Sequence, residues 1–284
     1  MDNMAWLQTK IYTRKFFRTL KKESIISIIM GVIITILVMA VTEKKMFETF
    51  EGSKSGLFAL VCVCIWVGIF NSIQLVCREK NDIVKDELDK SLHATAYMAA
   101  HFIYQFFLCL IQSFIVFIIF YAFVADKGDI GSPIAYLITI FLVMYASDAM
   151  AFVISTAVPN PIVAMTVMPL LLLIQLVMAG VLFELGNTTS AFANLTVSKW
   201  GMVAFGKIGS ITDIKSSMDG KLVDPYSGEA IKPDGGWISS KDLDMYDGGM
   251  GDVVCCWLAF IAFIVAFYFL SVAALKLTTR KVKK

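Results

Sequence analysis

The sequence predicts an all-α integral membrane protein with six transmembrane helices. An amphipathic helix precedes the first, a charged cytoplasmic helix joins the second to the third, and a large external loop joins the fifth to the sixth. Three observations lead there. Apolar residues make up 58% of the 284-residue chain and charged residues 17%, against about half and about a quarter in a soluble domain. Mean hydropathy is +0.73. The apolar residues gather into six runs, each close to the roughly 20 residues that cross ~30 Å of hydrocarbon. This composition excludes a disordered chain, a disulfide mini-protein and a nucleic-acid binder with a basic face.

The elements follow in order. Residues 1–23 form a charged leader. From Ile11 to Glu23, apolar Ile11, Phe16, Phe17 and Leu20 alternate with Arg14, Lys15, Arg18, Lys21 and Lys22. That pattern suits a basic amphipathic helix at the cytoplasmic membrane surface; a simple positive anchor for the first span is the alternative. The runs are Ser24–Val41, Gly56–Val76, Phe102–Val124, Ile134–Val158, Ile162–Phe183 and Val253–Leu275. No small-x-small cleavage site follows the first run, where Thr42-Glu43-Lys44-Lys45 stands instead, which argues against a cleavable signal peptide. The leader, the second connection and the tail hold 15 Lys and Arg, and the remaining connections hold 10. Six of those 10 lie in the long fifth connection, which carries little weight in orientation. Both termini are therefore expected in the cytoplasm, with the chain in the cell membrane.

Two polar segments stand out. Arg78–Thr95 carries nine charges in 18 residues, spaced for i,i+3 and i,i+4 pairs. Beside the amphipathic leader it offers a docking surface for a cytoplasmic partner. Glu184–Asp252 runs for 69 residues with ten acids against six lysines, its second half rich in turn-forming Gly, Asp and Ser.

Little in the chain suggests chemistry of its own. Cys62, Cys64, Cys77, Cys109, Cys255 and Cys256 all lie within or beside apolar runs, where Cys packs as a small hydrophobe. With two histidines in the chain, no metal site is expected, and no phosphate-binding loop or nucleophilic triad is recognisable. Asp242, Asp244, Asp247 and Asp252 miss the spacing of a calcium loop and read as a solvated acidic stretch. Asp148 falls near the middle of the fourth run, where a carboxylate must face protein or water; a substrate or proton site and an interhelical contact are both open. Asn71, Gln74, Gln105, Gln112 and Gln175 read as interhelical hydrogen-bonding groups.

Four stretches in order resemble the membrane domain of G-subfamily (white-family) exporters, within the type-two ABC export permeases. Arg78-Glu79-Lys80 through Lys85-Asp86-Glu87 to Ala96-Tyr97 resembles the acidic coupling helix, and Tyr145-Ala146-Ser147 to Ala151 the small-residue fourth span. Met178-Ala179-Gly180-Val181-Leu182-Phe183 is similar to the end of the fifth span, and Trp200 to Phe205 to the re-entrant helix after it. The resemblance covers about residues 5 to 210 and the last span. It implies one transmembrane domain over 1–284: connecting helix 1–23, spans one to five in 24–183, external loop 184–252, sixth span and basic tail 253–284. It also implies a connecting helix at Ile11–Glu23 and a coupling helix at about Glu79–Leu92, with Glu79, Asp86 and Glu87 facing the ATPase. Substrate would be lined by Cys64, Val67, Gly68, Asn71, Leu172 and Leu176, below a gate of Val181 and Leu182. The nucleotide-binding domain that the pattern calls for is expected from another polypeptide or from a removed portion, and the external loop departs from the pattern in a Gly/Asp-rich extension from about Asp213 to Asp252.

The expected function is the permease subunit of an ABC exporter, moving an apolar or amphipathic substrate such as a lipid, peptide or drug-like molecule outward by alternating access. ATP and magnesium would sit on a partner nucleotide-binding subunit and no cofactor on this chain. A second copy or a related permease would face it across an interface that includes Gly68, Asn71 and Ser72, within membrane lipid. Two alternatives are a non-transporting scaffold or signalling subunit that binds through the external loop, and an ion-coupled transporter using Asp148. The sequence carries no inverted repeat of the kind that would favour the latter.

Overall fold

The computed structural model describes residues 3–19, 21–42, 46–80, 83, 93–124, 131–182, 187–216 and 244–282. Ten α-helices are laid out along them: α1 (Asn3–Thr19), α2 (Lys21–Val41), α3 (Phe50–Ser72), α4 (Leu75–Arg78), α5 (Ala94–Val124), α6 (Pro133–Ala157), α7 (Pro161–Met178), α8 (Asn187–Ala193), α9 (Val197–Ile208) and α10 (Met250–Val282). No strand occurs among the described residues. Six helical stretches are long and apolar enough to cross a membrane: Ser24–Val41, Phe50–Arg78, Ala94–Val124, Pro133–Ala157, Pro161–Met178 and Met250–Thr278.

Local chemistry explains several ends. The Thr49 hydroxyl caps α3 by accepting from the Gly52 N–H at 3.2 Å, and the Asn160 side chain caps α7 by accepting from the Val163 N–H at 2.9 Å. Pro133 and Pro161 open α6 and α7, where a missing N–H costs nothing. α7 stops at Met178, short of the Phe183 expected from hydropathy alone, because Gly180 takes φ +74° and turns the chain out of the helix. The amphipathic helix begins at Asn3 rather than Ile11 and ends at Thr19, so residues 21–23 already belong to α2.

α3 and α6 are the central pair. Gly68 makes this possible, since a Cβ there would run into the Met144 carbonyl and stand 3.0 Å from the Ser147 Cβ. One turn on, the Ser72 hydroxyl donates to the Asp148 carbonyl at 2.8 Å. The helix breaks at Ile73-Gln74 between α3 and α4, and the Ser155 hydroxyl accepts the N–H groups of Val76 and Cys77 at 3.1 and 3.3 Å. α10 packs on α6, with the Trp257 indole N–H donating to Thr139 at 2.9 Å. α9 closes one end of the bundle, where a Cβ at its Gly201 would stand 3.3 Å from side chains of both Val61 and Val143. α1 lies at the other end. Most of α2, α7 and α10 stays uncovered and strongly apolar, the surface that hydrocarbon would solvate.

Candidate functional site

Two adjoining cavities open beside α3, sharing Ile34 of α2. The larger, of about 540 Å³, lies between α2, α3, α4 and α5 and is lined by Val67, Asn71, Gln74 and Gln105 among others. Its polar side is backed by a closed hydrogen-bond ring, in which Ser27 and Asn71 line the cavity and Gln112 stands behind them. The Ser27 hydroxyl donates to the Asn71 side-chain oxygen, the Asn71 amide donates to Gln112 at 2.6 Å, and the Gln112 amide donates back to Asn71 and to Ser27, both at 3.2 Å. Gln105 adds a bond to the Asn71 backbone carbonyl at 3.2 Å. Ser24 is hydrogen-bonded to Tyr104, and Arg78 donates to Gln74. In a membrane interior such groups satisfy one another because no bulk water is at hand. Apolar Ile26, Met30 and Phe70 complete the walls.

The smaller cavity, of about 170 Å³, is almost wholly apolar, walled by Val38, Phe58, Trp66, Leu172 and Leu176. Gln175 lines it too, yet its oxygen accepts the Ser198 N–H at 3.1 Å and so anchors the first turn of α9.

The residues expected to line one substrate path therefore divide. Val67 and Asn71 line the larger cavity, Leu172 and Leu176 the smaller. Cys64 is fully buried and Gly68 faces α6, and neither lines either cavity. Gly68, Asn71 and Ser72, expected between two copies, make contacts within one chain. Val181 and Leu182 follow the Gly180 turn, Val181 packed on the core and Leu182 exposed. Asp148 is fully buried on α6 against α3, and neither carboxylate oxygen has a partner among the described residues.

The charged connection is described only at its edges. Glu79 accepts the Tyr97 hydroxyl at 2.8 Å, joining the end of α4 to the first turn of α5. Lys80 donates to the carbonyls of Val158 and Thr156 at 2.6 and 3.3 Å, capping α6. Partial burial holds its ammonium below the ordinary lysine range. Asp86 and Glu87 lie outside the described residues, as does most of the Gly/Asp-rich part of the long loop. α1 docks beside this connection: Phe16 stacks on His101 at 4.0 Å and Tyr12 meets Tyr97 edge-on at 5.9 Å.

Sequence reasoning missed Ser27 and Lys80 as builders of this region. The signal for Ser27 was its hydroxyl inside an otherwise apolar run, one helical turn from Gly31.

A multi-pass bundle, an amphipathic N-terminal helix and a charged connection tied to the helix ends together invite comparison with transport proteins. The model of the family described as ABC-2 type transporter matches residues 7–205, from α1 through most of α9. The chain belongs to the ABC-2 type transporter family. It is thus a membrane-embedded, multi-pass permease component, of a family that typically works with an ABC ATPase. No match is found among curated proteins. In the ABC-2 domain both cavities fall within the matched residues.

Proposed function

We propose that this ABC-2 permease exports an apolar or amphipathic substrate by alternating access, driven by ATP hydrolysis on a separate nucleotide-binding subunit. The observation that carries the reading is the larger cavity, with apolar walls and an amide-and-hydroxyl side. An amphipathic molecule suits it on both counts, whereas a small ion would gain nothing from Ile26, Met30 and Phe70. The termini and the charged connection lie on the cytoplasmic side, where the bulk of Lys and Arg outside the long loop gathers. Force enters through the segment that begins at Glu79 and passes to α5 by Tyr97 and to α6 by Lys80. Glu79, Asp86 and Glu87 face the ATPase. Closure collapses the cavity, and substrate leaves past Val181 and Leu182.

A second copy or a related permease completes the path, as in the G-subfamily arrangement that the sequence resembles. Most of α3 is covered within the chain, so the partner meets its stacked Trp66–Phe70 edge and the exposed faces of α2 and α7. Val67→Trp fills the larger cavity and Leu176→Trp the smaller. In proteoliposomes with the ATPase, both variants should assemble, and Val67→Trp should abolish transport. Full transport by Val67→Trp would place the path elsewhere.

A further inference from the structure

α1 carries a cation row that the transport reading does not use. Its inner face, with Thr9, Tyr12 and Phe16, is committed to α5: Thr9 donates to the Ala96 carbonyl, and the rings meet Tyr97 and His101. The outer face holds Lys10, Arg14 and Arg18, one helical turn apart, with Lys15 beside them. No acidic residue occurs between Asn3 and Thr19, and none of these four cations has an acidic partner among the described residues.

Large apolar side chains share that face. Trp6 and Ile11 are 59% and 57% exposed, with Leu7 and Phe17 close behind. Lys10 lies over the Trp6 ring at 5.4 Å. Two shallow depressions flank the row, of about 440 and 530 Å³, and Lys10 and Arg14 line both. The first also takes in Phe17 and Ile103, and Ile103 is an exposed residue of the membrane-spanning α5. Cations and a membrane-facing apolar floor thus meet in one depression.

We infer that the outer face of α1 is a binding site for anionic phospholipid. The headgroup phosphate sits at Lys10 and Arg14, with Arg18 and Lys15 adding to the field, and an acyl chain lies over Trp6, Phe17 and Ile103. A free inorganic anion would need no apolar floor. A docked protein would not require that the floor continue onto a membrane-spanning helix. Each cation near an anionic bilayer surface is worth about 1 kcal/mol, or about fivefold in affinity, and the attraction falls with salt. Such binding requires no transport, so its failure and a failure of the transport reading are separable.

The test uses the full chain in nanodiscs of phosphatidylcholine with a minor share of phosphatidylglycerol. Retained lipid is counted by native mass spectrometry after mild extraction. The wild type should hold phosphatidylglycerol in excess of its share. Lys10→Gln and Arg14→Gln should each cut that excess about fivefold, while the charge-keeping Lys10→Arg/Arg14→Lys variant should retain it. Inorganic phosphate should compete poorly. Three results would overturn the inference: no preference for phosphatidylglycerol, a preference unchanged in the Gln variants, or displacement by phosphate alone. If the Gln variants instead lose the ATPase subunit while keeping their lipid, the face belongs to that partner.

Discussion

The ring formed by Ser27, Asn71 and Gln112 backs the polar side of the larger cavity, and its energetics follow from counting bonds. Four side-chain hydrogen bonds close it, two of them the reciprocal pair between Asn71 and Gln112. Side-chain hydrogen bonds in membrane bundles average about 0.6 kcal/mol each. Asn71→Leu and Gln112→Leu each remove three of the four, so each should cost about 2 kcal/mol. The double variant removes all four and should cost about 2.4 kcal/mol, well below the summed singles. The difference, about 1 kcal/mol, is the reciprocal pair counted once instead of twice. Unfolding of the purified protein in mixed micelles, by graded SDS or steric trapping, measures all three variants. Strict additivity would mean that the two amides do not meet, and the reasoning about the cavity wall would fail with it.

Two further outcomes follow from packing and burial. Gly68→Ala places a methyl against the Met144 carbonyl and Ser147; prying α3 from α6 should cost about 1–3 kcal/mol, seen as a lower melting midpoint, and an unchanged midpoint would contradict the close approach. Asp148 has no partner for its carboxylate oxygens among the described residues and lines neither cavity, so Asp148→Asn should fold, assemble and support ATP-driven transport without a pH gradient; an inactive Asn variant beside a wild type that transports on an imposed pH gradient without ATP would contradict that.

The spans were legible because a run of about 20 apolar residues is seldom anything but a membrane-crossing helix. The six helical stretches reproduce the expected runs, with α5 starting two turns earlier at Ala94 and α3 earlier at Phe50. Hydropathy averages over a window, so it carried the fifth span past Gly180, where one left-handed residue ends the helix. It also could not say which helix is central, since α2 and α3 are both strongly apolar. That is decided by close approach at Gly68 and Gly201, which involves residues distant in sequence. The expected lining residues came from the family resemblance, and spacing along one helix bears on only part of their arrangement. Helical periodicity places Val67 and Asn71 on one face, and they do share a cavity. It says nothing about which helices oppose each other, and Leu172 and Leu176 line a different one. Lys80 read as one member of a surface charge pattern, whereas its ammonium reaches the carbonyl end of α6, nearly eighty residues later.

The central claim is that this chain forms a substrate path powered by an ABC ATPase. It is tested most directly by purifying the tagged chain from its native membrane with its partner and measuring ATP hydrolysis by that complex in proteoliposomes. The expected result is a stoichiometric nucleotide-binding subunit whose hydrolysis changes when Val67→Trp fills the larger cavity, while the complex stays intact. A chain that purifies without any ATPase, or a complex whose hydrolysis ignores Val67→Trp, would contradict it.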